Sequence, residues 1–358
     1  MDLYHHSNPP FTKWVVARGF LSEPFVVIDI GVQGGEHPRW QFLGPYVQIH
    51  GFDPIAEVID ELCAKNSHRR HYYNMALGNE DGERPFFVCA NRFNSSFYTA
   101  DAAAEERLVP IRRLDSLYRE GVIPRADYIK LDCEGFEPEI LRGAREYLGL
   151  CDIFCATAET NFNVSPIFPH THFHAINEIM AAHRLLVYDI NAVRAPTASY
   201  LAALAARQRP PENPQSGGIL FSIGRPGTYD FLFCRNFAVE RRNPEDFESN
   251  SLQSRPPSAD MLIKAMINFE LHGLMDCAVD LAVTFRDMLA PRLDVDRAID
   301  LLMAPAPHPR NTADVQAWLE STLCGRIREF VYRTPPLRLV NGLRRRLFNP
   351  SRGRRAAI

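Results

Sequence analysis

The feature that most constrains this chain is a short apolar run that stops on a glycine-rich turn, Phe25-Val-Val-Ile-Asp-Ile30 followed by Gly31-Val-Gln-Gly-Gly35. Six residues without polar alternation predict a strand buried on both faces, as strands of a parallel sheet are. The glycines let backbone pass close to a neighbouring strand or a ligand. A second run, Val47-Gln-Ile-His-Gly-Phe-Asp53, repeats the design and ends on a carboxylate about twenty residues later.

Further runs continue the alternation. Pro38 to Tyr46 predicts a short helix with proline in its first turn, and Pro54 opens a helix with Ile55, Val58, Ile59 and Leu62 at helical spacing. Tyr72–Leu77 is read as a third strand and Arg84–Cys89 as an extra one. Tyr128-Ile-Lys-Leu-Asp132 is a fourth parallel strand, followed by a helix from about Pro138 to Leu148. Ile153–Ala158, Leu185–Ile190 and Asp230–Arg235 complete the strands, with a helix over Thr171–Ala182. The fold class expected is α/β, a doubly wound, mainly parallel, seven-stranded Rossmann-like sheet with a C-terminal helical extension.

The organisation expected is a lead-in over 1–24, the α/β domain over 25–240, a linker over 241–257, a helical extension over 258–335 and a basic tail over 336–358. Within the α/β domain, 197–207 reads as a helical insert and 209–218 as a loop rich in Pro and Gly. In the extension Ser258–His272, Met275–Leu289, Val295–Met303 and Thr312–Tyr332 read as helices, with apolar stripes such as Leu262, Met266 and Phe269. Those stripes suit a small bundle, an interaction module or a contact between copies of the chain.

A net charge of −3 over 358 residues gives no global pull toward nucleic acid or membrane. From Arg326 to Ile358, however, ten Arg face a single Glu329 amid Leu337, Leu339, Val340 and Leu343. That segment is either a solubilising tail or a contact for an anionic membrane surface or a protein; no nucleic-acid fold signature accompanies it. The eight Cys include no CxxC pair, so free thiols are expected. With no signal-peptide pattern at Met1–Pro10 and no apolar run of membrane-spanning length, a cytoplasmic location is expected.

Asp29, Gly31 and Gly34-Gly35 with Asp53 form a candidate nucleoside site: the turn admits a ligand, and a strand-end carboxylate can accept from both ribose hydroxyls. A NAD site uses the same logic, but Gly31-x-x-Gly34-Gly35 is not GxGxxG. The plainer alternative is an ordinary turn and a solvated Asp.

Val27-Ile-Asp-Ile-Gly-Val-Gln-Gly-Gly35, Gly51-Phe-Asp-Pro54, Ala76-Leu-Gly78 and Arg113-Leu-Asp-Ser-Leu117 recur in one known family. Its most specific marks here are Tyr128-Ile-Lys-Leu-Asp-Cys-Glu-Gly135 and Glu139-Ile-Leu-Arg-Gly-Ala144. Over about residues 25 to 235 the chain resembles the FkbM-type methyltransferases, of the class I fold. The resemblance implies S-adenosylmethionine as cofactor and a hydroxyl on a sugar, glycolipid or secondary metabolite as acceptor. It also implies that Asp29, Gly31 and Gly35 line the methionyl side, that Asp53 holds the ribose, and that Asn74, Met75 and Ala76 meet the adenine edge. The chain departs from the family at Val32-Gln33, usually Ala-Asn, and at Asp53, usually Glu. Val32-Gln33 admits the alternative of a binding or scaffold protein without turnover; an NAD-dependent oxidoreductase is the weaker alternative.

An alcohol is a poor nucleophile near neutral pH and needs a base or a metal. Asp132 and Glu134, at the end of the fourth strand, stand where open parallel sheets bind ligands and are candidate catalytic carboxylates. Asp132, Glu159 and Asn161 are candidate oxygen ligands for Mg²⁺, or a hydrogen-bonded brace. His170, His172 and His174 alternate in Pro169-His-Thr-His-Phe-His174; on an extended segment they share one side. His172 is a candidate base, ligand or acceptor contact, and the alternative is a surface cluster. Asn94-Ser-Ser96 is expected near the cofactor or acceptor.

Overall fold

A computed structural model describes residues 8–65, 69–98, 102–150, 153–160, 173–195, 225–243 and 257–304. All lie in one unit, Met1–Ala304. The readings made for 197–207, 209–218, Thr312–Tyr332 and the basic tail fall outside the described residues.

Strands β1 (Phe25–Ile30), β2 (Val47–Asp53) and β3 (Arg70–Asn74) come first. They are followed by β4 (Ala76–Leu77), β5 (Gly82–Val88), β6 (Glu105–Arg112) and β7 (Tyr128–Leu131). Last are β8 (Cys155–Thr160), β9 (Leu186–Ala195) and β10 (Arg225–Cys234). Seven of them form one sheet in the order β3-β2-β1-β7-β8-β10-β9. The pairs β1–β2, β2–β3, β1–β7 and β7–β8 are parallel, and β10 runs antiparallel to both β8 and β9. The expected doubly wound, mainly parallel sheet is therefore present.

Alternation along β1 shows how the sheet is buried. Val26, Ile28 and Ile30 pack into one core with Phe52, Ile129, Ile140 and Phe231. Phe25 and Val27 pack into a second core with Ile49, Leu232, Leu262, Met266 and Phe269. The apolar stripe of Ala259–Leu271 is thus spent on the sheet's second face. A sheet of continuous apolar strands needs such cover on both sides.

The expected third strand is two. Met75 breaks the run after Asn74, and Ala76–Leu77 joins a small second sheet, β4-β6-β5. The helix expected over Pro138–Leu148 is likewise two, Glu137–Arg142 and Arg145–Leu150. Between them, a Cβ on Gly143 would stand 1.9 Å from Gly78 O, so only glycine permits this approach. The expected Met275–Leu289 helix ends at Thr284, with a short turn over Arg286–Leu289.

The lead-in contains a helix, Pro10–Arg18, with proline in its first turn and Gly19 closing it in the left-handed conformation. Its N-terminal cap comes from afar: Glu270 accepts from Phe11 N at 2.9 Å, Thr12 N at 2.7 Å and Thr12 Oγ1 at 2.6 Å. Among the described residues no helix is long and apolar enough to cross a membrane.

Candidate functional site

The parallel strands β1, β2 and β7 end at one edge of the sheet, and a cavity of about 330 Å³ opens beyond them. That volume is in the range of small-molecule pockets. Its floor is Ile30 and Gly31 after β1, Phe52 to Ile55 after β2, and Asp132 to Glu134 after β7. Met75, Ala76, Leu77, Phe86, Phe97, Phe136 and Ile140 make an apolar wall. Glu159 and Asp230 close the far side, and Gln33, Arg92, Phe93 and Ser95 form the remaining wall.

Gly31 is the closest approach in the floor. Its φ is +77°, and a Cβ there would stand 1.9 Å from Asp132 O. Gly31 N and Val32 N both donate to Phe52 O, at 3.0 and 3.3 Å, which locks the turn to β2. Gly35 N closes it on Val32 O at 2.9 Å. Gly34 and Gly35 shape the turn without lining the cavity.

Asp53 is 4% exposed and accepts from Ile55 N at 2.9 Å. Burial pushes its carboxyl up to about 6. Asn74 does not line the cavity: its Nδ2 donates to Asp53 O at 3.3 Å and Pro54 O at 3.0 Å, bracing the end of β2. Met75 and Ala76 do line it.

Asp29 stands apart from the cavity walls, buried against Lys130. Burial raises its carboxyl, and the neighbouring ammonium counters part of that rise.

Asp132, Glu134 and Glu159 each present a carboxylate oxygen within 4.8 Å of the other two. Register explains the meeting. Leu131 pairs with Ala158, so the next residues on each parallel strand, Asp132 and Glu159, are neighbours; Glu159 in turn pairs with Asp230 on β10. Three like charges so close cannot all persist without protons or a cation. Burial, with Asp132 beside it, pushes Glu134 up to about 7. Burial and the facing carboxylates of Asp132 and Glu134 push Glu159 far above the usual range.

Glu134 sits at φ +50°, a left-handed conformation uncommon for a non-glycine residue. Such strain persists only where neighbours enforce it. Buried Glu137 accepts from Cys133 N at 2.7 Å, and Ser96 Oγ lies 3.1 Å from Glu134 O while accepting from Tyr98 N at 2.8 Å. The Asn94-Ser-Ser96 expectation resolves accordingly: Ser95 lines the cavity, and Ser96 braces the turn that carries Glu134.

Asn161, His170 and His172 lie outside the described residues. His174 is an exposed residue of the helix Phe173–Ala182, so the extended segment expected for the three histidines does not reach it. As a ligand set, Asp132 and Glu159 meet with Glu134 as the third oxygen donor. Among the thiols, Cys89, Cys155 and Cys234 are buried and Cys63 is exposed; all the described cysteines are free, as expected.

Sequence reasoning missed Asp230, Arg92 and Phe93. A parallel strand offers its last residues to the cavity. Strand β10 is antiparallel, and its Asp230, which precedes the apolar Phe231–Phe233, faces the cavity instead. The acidic residue before that run was the available signal.

A doubly wound sheet with a cavity at its switch point and an acidic group beside a glycine turn is a Rossmann-like architecture. Residues 29–188 match the family model of the methyltransferase FkbM domain, so the resemblance read from the motifs holds over that segment.

Among solved structures, the chain is similar to the methyltransferase FkbM from Methylobacillus flagellatus KT, at 16% identity and a TM-score of 0.30. That match covers 48% of this chain and 41% of the other, less than half of the Methylobacillus protein. It is also similar to the precorrin-6y C5,15-methyltransferase from Geobacter metallireducens GS-15, at 11% identity and a TM-score of 0.31, covering 62% and 87% of the two chains. A putative S-adenosylmethionine-dependent methyltransferase from Listeria monocytogenes is similar at 8% identity and a TM-score of 0.31, over 63% and 98%. No curated protein matches the chain.

Proposed function

We propose that this protein transfers a methyl group from S-adenosylmethionine to a hydroxyl oxygen of a small-molecule or glycan acceptor, a sugar, glycolipid or secondary metabolite. The observation that carries this reading is Glu134: a carboxyl in the cavity wall, beside Asp132, with its proton affinity raised to about 7. A base poised near the working pH is what an alcohol nucleophile requires.

The residues present fit the cofactor. Gly31 leaves space that a side chain would fill, Asp53 offers a carboxylate for ribose hydroxyls, and Met75 and Ala76 flank an apolar slot suited to a flat base. The cofactor supplies an already activated methyl group. The protein therefore has to orient the acceptor and take its proton. In this reading Glu134 accepts the hydroxyl proton as the oxygen–carbon bond forms and the methyl carbon–sulfur bond breaks, S-adenosylhomocysteine being the leaving group. Asp132 and a protonated Glu159 hold the acceptor and the charge around it.

Calorimetry with S-adenosylmethionine and S-adenosylhomocysteine tests the cofactor assignment; absence of binding of either ligand sinks it. Transfer of a labelled methyl group into extracts of the source cell, followed by identification of the methylated atom, tests the acceptor. Label found on nitrogen or carbon alone would overturn the hydroxyl assignment.

The carboxylates of Asp132, Glu134 and Glu159 admit a second reading, in which they would hold Mg²⁺ and the ion would polarise the hydroxyl. Turnover lost on thorough chelation and restored by Mg²⁺ would support it; turnover indifferent to chelation would leave proton sharing as the use of the cluster.

A further inference from the structure

Phe93 is a large apolar side chain left 59% exposed while forming part of the cavity wall. Its position is held from several sides. It lies in a single turn, Arg92–Asn94, whose N-terminal cap is Asn91, the side chain accepting from Phe93 N. The Gln33 side chain, with its amide nitrogen toward Arg92 O, donates to that carbonyl at 3.0 Å and accepts from Phe93 N at 3.1 Å. Arg92, which also lines the cavity, has its charge paired by Glu61, 3.3 Å away. Beneath the ring is Gly34, where a Cβ would come within 3.5 Å of Phe93 Cε1.

An aromatic ring fixed at a cavity wall and kept partly wet is a surface for a ligand. The chemistry around it selects the kind of ligand. The other polar walls include Asp132, Glu134, Glu159 and Asp230, an acidic half-circle. A neutral ligand would gain little from such a wall, whereas a cation is attracted by both the carboxylates and the ring face. A sulfonium carries no N–H or O–H, so a ring face can hold its charge without a conventional hydrogen bond.

We propose that Phe93, positioned by Gln33, is a cation–π contact for the sulfonium of S-adenosylmethionine. The proposal rests on the methyltransferase reading above. It assigns Gln33, one of the two positions at which the chain departs from its family in the glycine turn, the task of holding the ring. The contact distinguishes the cofactor from its product: S-adenosylhomocysteine, a neutral thioether, gains nothing from the ring's quadrupole. Loss of the positive charge then eases product release.

Calorimetric titration of the full chain with each ligand tests this without an acceptor. Phe93→Leu should weaken S-adenosylmethionine by about two- to fivefold, the range for an exposed cation–π contact. S-adenosylhomocysteine should be unchanged. Phe93→Tyr should restore the wild-type ratio of the two affinities, and Gln33→Ala should lower that ratio in the same direction as Phe93→Leu. Equal weakening of both ligands by Phe93→Leu would overturn the proposal, because the ring would then be only a wall. An unchanged ratio would overturn it too. If the wild-type chain binds neither ligand, the methyltransferase reading itself fails; binding of both with an unshifted ratio removes this contact alone.

Discussion

The Lys130 ammonium lies 3.2 Å from Asp132 Oδ2, and on its other side 3.4 Å from Asp29 Oδ1. It also donates to Gly31 O at 2.8 Å. One side chain therefore ties the ends of β1 and β7 to the glycine turn beside the carboxylate cluster. Burial works against its charge, yet Asp29 and Asp132 hold its proton affinity above the usual lysine value.

Lys130→Met should accordingly destabilise the fold by about 3 kcal/mol, since removing one partner strands the buried Asp29 charge. Adding Asp29→Asn to that variant should recover much of the loss. Thermal or urea unfolding measures both. A double variant no more stable than Lys130→Met would show that the lysine acts through some contact other than Asp29.

Asp53 is raised to about 6 by burial and must be ionised to accept from two ribose hydroxyls. Affinity for S-adenosylhomocysteine should therefore be level above pH 6 and fall toward tenfold per unit below it. The fall runs in that direction because acid protonates the acceptor. Asp53→Ala should weaken binding throughout and flatten this dependence. A wild-type affinity that is constant from pH 5 to 8 would argue against the carboxylate as the ribose contact.

Glu134→Gln should lower turnover by about 10² to 10⁴, the contribution of a positioned base, with cofactor affinity within a few fold. In the wild type the rate should rise with pH to about 7 and then level, because the carboxylate is the active form and its proton affinity lies there. Asp132→Asn should also reduce turnover more than cofactor affinity. Equal and negligible effects of both variants would place the chemistry elsewhere.

Glu270 supplies the N-terminal cap of the helix Pro10–Arg18, whose own N-cap residue, Pro9, offers no side-chain bond. Glu270→Ala should lower stability by about 2–3 kcal/mol, the worth of charge-assisted bonds to otherwise orphaned backbone donors. Glu270→Gln should lose less. Hydrogen exchange of the Phe11 and Thr12 amides would localise the effect; unchanged protection in Glu270→Ala would deny it.

The sequence by itself determined what depends on neighbours along the chain. Continuous apolar runs marked the buried strands; Gly31, Asp53, Asp132 and Glu134 stood at strand ends, and strand ends of a parallel sheet share one edge. Those residues were therefore legible from the sequence as a candidate site. Tertiary structure decided what depends on pairing across the chain. The register of β7, β8 and β10 brought Glu159 and Asp230 to Asp132, and the reversed direction of β10 turned the beginning of an apolar run toward the cavity. Gln33 meets Phe93, and Glu270 meets Thr12, across separations that no local periodicity encodes. Short-range propensity and alternation fix where strands and turns form. Which side chains face one another is settled only when the sheet closes its hydrogen bonds and the helices cover its two apolar faces.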